Sequence, residues 1–108
     1  MYVILEIVGK PSVVLESDAA VVTLMEQYGA QRAFVGDAYD PAIIEHNHLQ
    51  SMREYSMWAV AKPTEGGGYD LLGLSHLPVI DPVEGEVVCL KLTSETALEN
   101  GEYATKSV

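Results

Sequence analysis

The chain has 108 residues, of which sixteen are acidic and six are basic, so its formal net charge is −10. This length suits one globular domain with a single core, and a hydrophobic content of 48% excludes a disordered polypeptide. The charge disfavours direct binding to nucleic acids or anionic membranes, because both present phosphates, and it favours a protein partner with a basic surface.

The cysteine content and the start of the chain bear on the compartment. The single cysteine, Cys89, excludes an internal disulfide and lies in the apolar run VVCLKL, where we expect an inert core thiol. The apolar start MYVILEIVG contains Glu6 and has no basic region before it, so it predicts a strand rather than a signal peptide. No apolar stretch approaches the roughly 20 residues of a membrane span. Together these features predict a cytoplasmic protein.

The first forty residues predict a hairpin, a helix and a third strand. Residues 2–8 are apolar on both faces apart from Glu6, which predicts a central strand, and residues 13–15 return after the turn GKPS. The spacing of the apolar residues then becomes that of a helix, for which Ser17 is the predicted N-cap and Gly29 the C-terminal glycine. The apolar stripe of this predicted helix comprises Val21, Leu24, Met25 and Tyr28. Residues 32–36 form the next strand.

The second half of the chain is mostly β in pattern. Asp40 and Pro41 first predict the start of a helix over 41–52. Residues 54–63 and 69–77 then predict a hairpin around the glycine-rich turn 64–68. The two prolines and the glycine of residues 78–85 indicate a surface loop.

The last segment of the chain combines a strand with weaker signals. Residues 86–92 are almost continuously apolar, which predicts a strand covered on both faces. Thr93 or Ser94 as a cap and Gly101 as a terminator predict one or two helical turns. Residues 102–108 predict a frayed tail or an added edge strand.

These elements predict one α+β domain over residues 1–108. We expect a mixed or mostly antiparallel sheet of about five or six strands, with two or three helices packed on it.

The most distinctive cluster is EHNHLQSMRE, in a chain with only three histidines. In a strand, His46 and His48 would point to one face and could bind a divalent transition metal, with His76 or Glu54 as a third ligand. In the predicted helix over 41–52 they would lie about 200° apart and could not share a metal, although Glu45 could pair with His48. A metal site at His46, His48 and His76 therefore requires the helix to end before His46.

Solvent-facing histidines are the ordinary interpretation of this cluster, and we predict no cofactor. The alternative is a small metal-dependent or acid/base enzyme that uses Glu45, His46, His48 and His76, since histidine titrates near neutral pH.

The aromatic residues suggest a surface for protein–protein contacts. The chain has six tyrosines and one tryptophan beside one phenylalanine, and tyrosine and tryptophan are enriched in protein interfaces. The candidate interaction residues are Tyr39, Tyr55, Trp58 and Tyr69. Both faces of the strand 55–61 carry apolar side chains, so one would need a helix and the other a second layer or a second subunit. Alternatively, Trp58 fills the core.

The sequence thus favours a small acidic non-enzymatic binding or regulatory protein, able to form a homodimer. Its composition resembles that of phage and mobile-element proteins that inhibit host nucleic-acid-binding proteins. The acidic residues are spread along the whole chain, without a dense row on any helix, which disfavours strict mimicry of DNA.

Overall fold

A computed structural model of the protein describes residues 1–40, 57–76 and 85–108. The elements in these ranges are β1 (Tyr2–Glu6), β2 (Val13–Glu16), α1 (Val21–Tyr28), β3 (Arg32–Ala38), β4 (Met57–Pro63), β5 (Tyr69–Ser75), β6 (Val88–Glu99) and β7 (Glu102–Ser107).

Six of the strands close into an antiparallel barrel in the order β1, β2, β5, β4, β6, β3 and back to β1. Closure depends on the 12 residues of β6, which pairs with β4 through its first half and with β3 along most of its length. The seam between β2 and β5 is much shorter, with Val14 opposite Tyr69 as its registered pair. The seventh strand, β7, lies outside the ring and pairs with the second half of β6.

The predicted α+β domain, with two or three helices on a sheet, is wrong. The described residues form a mostly-β closed barrel whose helical part is α1. Local patterns identify strands one at a time, whereas closure depends on the pairing of β3 with β6, which lie far apart in sequence. The predicted helix over 41–52 and all but the last residue of the predicted loop 78–85 lie outside the described residues.

Several predicted strands are confirmed. β1 is central, between β2 and β3, as its single charged residue indicates. β2 completes the first hairpin, and β4 and β5 form the hairpin predicted around residues 64–68. Cys89 at the start of β6 is buried, and Leu90 and Leu92 are fully enclosed. This strand is covered on both faces there, as predicted.

The end of the chain differs from the prediction of helical turns. β6 continues as a strand through Thr93 and Ser94 to Glu99. Asn100 and Gly101 then have φ angles of 51° and 82°, which suit the two-residue type I′ turn of a hairpin. Residues 102–107 return along β6 as β7, so the edge strand forms and the frayed tail does not.

The helix α1 begins later than the sequence indicates. Its N-cap is Ala20 and has no side-chain hydrogen bond, whereas the predicted cap, Ser17, accepts a hydrogen bond at Oγ from the N–H of Ala19 at 3.0 Å. The predicted C-terminal glycine, Gly29, is confirmed, with a left-handed φ of 66°.

The hydrophobic core has two parts. The barrel interior contains Ile4, Val14, Phe34, Ala59, Ala61, Leu90 and Leu92. A second cluster lies between α1 and the outer face of β1 and β3, and contains Val3, Leu5, Leu24, Met25, Ala30 and Ala33. Tyr28, predicted on the buried stripe of α1, is instead 40% exposed. Both faces of β1 are therefore buried, one by the barrel interior and the other by α1.

Candidate functional site: an acidic rim at one end of the barrel

The predicted histidine site falls mostly outside the described residues. Glu45, His46, His48 and Glu54 are not among them, whereas His76 is exposed immediately after β5. Within the described ranges, no three histidine, cysteine, aspartate or glutamate side chains are placed to hold a metal ion. A metal site at His46, His48 and His76 therefore stays a prediction.

The predicted interaction residues separate into buried and partly accessible ones. Trp58 is only 1% exposed, on the face of β4 opposite to Ala59 and Ala61, which line the barrel interior. Tyr39 and Tyr69 are half-buried and lie at the same end of the barrel, after β3 and at the start of β5. Tyr55 lies outside the described residues.

Carboxylates collect at this end of the barrel. The antiparallel order brings together the last residues of β2, β3 and β4 and the first residues of β6. Six exposed acidic residues lie at or next to these strand ends: Glu16, Asp18, Asp37, Asp40, Glu65 and Glu86. We call these six residues the acidic rim.

Basic residues are distributed differently among the described residues. Lys10, Arg32 and Lys106 lie towards the opposite end of the barrel. Lys62 and Lys91 lie nearer the acidic rim, where they are registered opposite Asp70 and Asp37. Among the described residues, the rim therefore carries more negative charge than the far end.

Two tyrosines support the weakly paired seam beside the rim. The rings of Tyr2 and Tyr69 meet edge to face, with centroids 5.7 Å apart and planes at 71°. The hydroxyl of Tyr2 also shares hydrogen bonds with Tyr69 and Glu16. Desolvation by burial, followed by these hydrogen bonds and the nearby charges, raises the pKa of Tyr2 to about 12. Side chains thus connect β1, β2 and β5 where backbone pairing is sparse.

The raised pKa of Tyr2 predicts a loss of stability in alkali. The folded chain holds this proton to about pH 12, whereas an unfolded chain releases it near the ordinary value of 10.0. The stabilisation is therefore fully present below about pH 10 and is lost as the pH rises to about 12. Urea denaturation at about pH 9 and pH 11 measures it. The loss of unfolding free energy between these two pH values should be smaller in Tyr2→Phe and unchanged in Tyr28→Phe. An equal loss in both variants would contradict the assignment of this effect to Tyr2.

Arg32 forms ion pairs with two carboxylates at the far end of the barrel. Its Nε and Nη2 donate to the two carboxylate oxygens of Glu6 at 2.6 and 2.9 Å, and Nη1 lies 3.6 Å from Glu95. The guanidinium also lies over the Phe34 ring, 5.0 Å from its centroid. Hydrogen bonding to Glu6 is the main cause that raises the pKa of Arg32. These charges therefore offset one another at the far end, while at the acidic rim the N-terminal ammonium lies 3.6 Å from Asp18.

The cysteine does not contribute a reactive group. Cys89 is 6% exposed, and desolvation raises the pKa of its thiol, although a hydrogen bond with Tyr39 opposes the shift. Since the thiolate is the nucleophilic form, these surroundings favour an inert thiol.

The sequence analysis missed the acidic rim, because its members lie at wide intervals along the chain. One signal was present, since each member follows or precedes a strand-like run or sits in a turn between two of them. Knowing that these turns meet at one end requires the strand order.

Two further observations bear on the class of protein. Within the described residues, no helix combines the length and the apolar character needed to span a bilayer. No family model, curated protein or solved structure matches this chain.

Proposed function

We propose that this protein is a small non-enzymatic binding protein that docks its acidic rim onto a basic surface of a partner protein. The observation that carries the proposal is the concentration of six exposed carboxylates at one end of the barrel. Tyr39 and Tyr69 lie half-buried at the same end.

The clustered charges favour approach of a basic partner from the rim end of the barrel. Carboxylates that share one end of a barrel add their potentials, which steers a basic partner to that end and speeds its association. The tyrosines can add apolar contact area together with hydroxyl groups, a combination common in interfaces. Specificity then comes from the positions of the charges around the rim.

The partner chemistry that fits best is a surface of lysine and arginine built to bind phosphates. Such surfaces belong to nucleic-acid-binding proteins. Occupation of that surface by the acidic rim would compete with the nucleic acid, so the proposed regulatory action is inhibition of a nucleic-acid-binding protein.

The test compares two double variants with the same net charge. Glu65→Lys/Glu86→Lys reverses two charges of the rim, and Glu26→Lys/Glu99→Lys reverses two exposed charges elsewhere. A partner captured from source-cell lysate with the wild-type protein is identified, purified and titrated with each variant by calorimetry. We expect the rim variant to bind at least about tenfold more weakly and the control to stay within about threefold of wild type.

Competition provides the second measurement. Duplex DNA or structured RNA should displace the protein from its partner, and binding should weaken with added salt because exposed charges are screened. Equal losses in the two double variants would show that net charge alone matters, and they would overturn the assignment to the rim. Binding that nucleic acid does not disturb would contradict the proposed inhibition.

A further inference from the structure

We propose that β7 is a dimerisation edge, at which two copies of the chain pair antiparallel, with Glu102 of each copy opposite Lys106 of the other. This inference goes beyond docking of the acidic rim and does not depend on it.

The outer edge of β7 is accessible. Among the described strands, β7 pairs only with β6. Tyr103 is half-buried, and the other residues of the strand are exposed. An exposed edge strand presents a row of backbone donors and acceptors that can pair with another strand.

The hydrogen-bond pattern shows which backbone groups face outwards. The N–H of Val108 donates to the carbonyl oxygen of Thr93 at 3.2 Å, so these two residues form a hydrogen-bonded pair. Such pairs alternate along an antiparallel ladder. The next ones are Glu95–Lys106, Ala97–Ala104 and Glu99–Glu102. The backbone groups of Tyr103, Thr105 and Ser107 therefore point away from β6.

The outward groups fit a second copy of the same strand. A twofold axis at Ala104 sets Tyr103 of each copy opposite Thr105 of the other, which lets these residues exchange backbone hydrogen bonds. Ala104 then faces its own equivalent, and its small side chain leaves room for close approach. The pairing is isologous and closes as a dimer.

Charge complementarity supports this register. It brings Glu102 of each copy directly opposite Lys106 of the other, at about 5 Å between Cβ atoms, so that the contact occurs twice. Within one copy, Glu102 lies opposite Glu99, a like-charge pair that a nearby lysine would relieve. Lys106 has a 71% exposed side chain, and its Nζ contacts Glu95 only at 3.9 Å, so it can reach across.

The second face of the paired strands adds an aromatic contact. Tyr103 of one copy becomes a diagonal neighbour of Tyr103 of the other, within reach of an aromatic pair. The β7 sequence thus complements itself on both faces, which is why we infer a second copy rather than an unrelated strand.

The proposed dimer leaves the acidic rim uncovered. β7 pairs with the second half of β6, whereas the rim lies where β6 begins. Two copies would present two rims, and a partner with two basic sites would bind more tightly through the increased effective concentration.

Sedimentation velocity of the full chain, over about 5–500 μM at constant salt, tests the proposal. We expect a concentration-dependent dimer. Thr105→Pro removes an N–H that faces away from β6, together with the hydroxyl that lies 2.8 Å from Thr96 Oγ1, and it should weaken the dimer at least about tenfold. Thr105→Val loses the hydroxyl but keeps the N–H, so this control should still form the dimer. Circular dichroism and thermal unfolding check the fold of each variant.

Charge reversal tests the register. Glu102→Lys and Lys106→Glu should each weaken the dimer about fivefold or more, and the double variant should return to within about threefold of wild type. The carboxylate that Lys106→Glu introduces would be repelled by Glu95 of the same copy, both in this single variant and in the double variant. Stronger dimerisation of the double variant than of Lys106→Glu therefore reports the contact between residues 102 and 106 of different copies. A wild-type monomer at all concentrations would overturn the proposal. So would a dimer insensitive to Thr105→Pro, or a folded double variant without recovery.

Discussion

Replacement of Trp58 by alanine is expected to lower the free energy of unfolding by about 4 kcal/mol, whereas Trp58→Phe should cost less than about 1.5 kcal/mol. Trp58 is 1% exposed, and the N–H of its indole ring has no acceptor among the residues that the structure describes. Alanine leaves a large cavity in a close-packed region. Phenylalanine keeps most of the apolar contact and removes a buried donor that has no acceptor in the described part of the chain.

Urea denaturation followed by circular dichroism measures both effects, because the variants lack the single tryptophan that fluorescence would follow. Leu72→Ala is the control, since Leu72 is 46% exposed on β5 and should cost less than about 1 kcal/mol. If Trp58→Phe proved as costly as Trp58→Ala, the indole N–H would have to be bonded in solution.

The environment of Trp58 shows that amino-acid composition alone does not distinguish a core residue from an interface residue. The sequence correctly indicates that β4 has two apolar faces. Ala59 and Ala61 face the barrel interior, and Trp58 and Val60 are buried on the opposite face, at 1% and 5% exposure. Abundant tyrosine and tryptophan suggest an interface, but the same residues also fill cores. Only burial in the folded chain distinguishes the two roles.

Local sequence patterns were sufficient to predict those strands that pair with their neighbours along the chain. Period-two alternation and glycine-rich turns identify β1, β2, β4 and β5, because each hairpin is formed by neighbouring segments. Closure of the barrel is different, since it pairs residues such as Phe34 and Glu95, which are far apart in sequence. No local period encodes that contact.

The β6–β7 hairpin shows how two local signals can compete. Thr93, Ser94 and Gly101 are compatible with a short helix, whereas Asn100 followed by Gly101 favours a type I′ hairpin. Pairing of residues 94–97 with β3 adds long-range hydrogen bonds to the strand, so the hairpin prevails. The Asn-Gly pair is the local signal that agrees with this outcome.

The candidate surfaces follow from topology in the same way. The acidic rim unites Glu16 and Glu86, which are far apart in sequence, because the strands alternate in direction around the barrel. The β7 edge could be recognised as an alternative from the sequence, but its outward-facing groups depend on the ladder register set by Thr93 and Val108. Charge counts alone could predict only that some basic partner is favoured.

The pairing of β3 with β6 leads to the second large prediction, that Gly36→Ala lowers the free energy of unfolding by about 2–3 kcal/mol. A Cβ at Gly36 would lie 2.7 Å from the carbonyl oxygen of Lys91 and 2.8 Å from Cδ2 of Leu92. The register shifts here by one residue, and the hydroxyl of Thr93 donates to the carbonyl oxygen of Val35 at 3.2 Å. Since the obstruction includes backbone, a side-chain rearrangement cannot relieve it.

Gly73→Ala is the matched control for this substitution. Gly73 also lies beside a register shift, between β4 and β5, but a Cβ there would meet nothing within 4 Å. Urea denaturation should therefore show a change of less than about 1 kcal/mol. Hydrogen exchange adds a local measurement, because Gly36→Ala should accelerate exchange in β3 and β6 before β5 is affected. Equal costs for the two variants would show that close approach at Gly36 does not limit how the barrel closes.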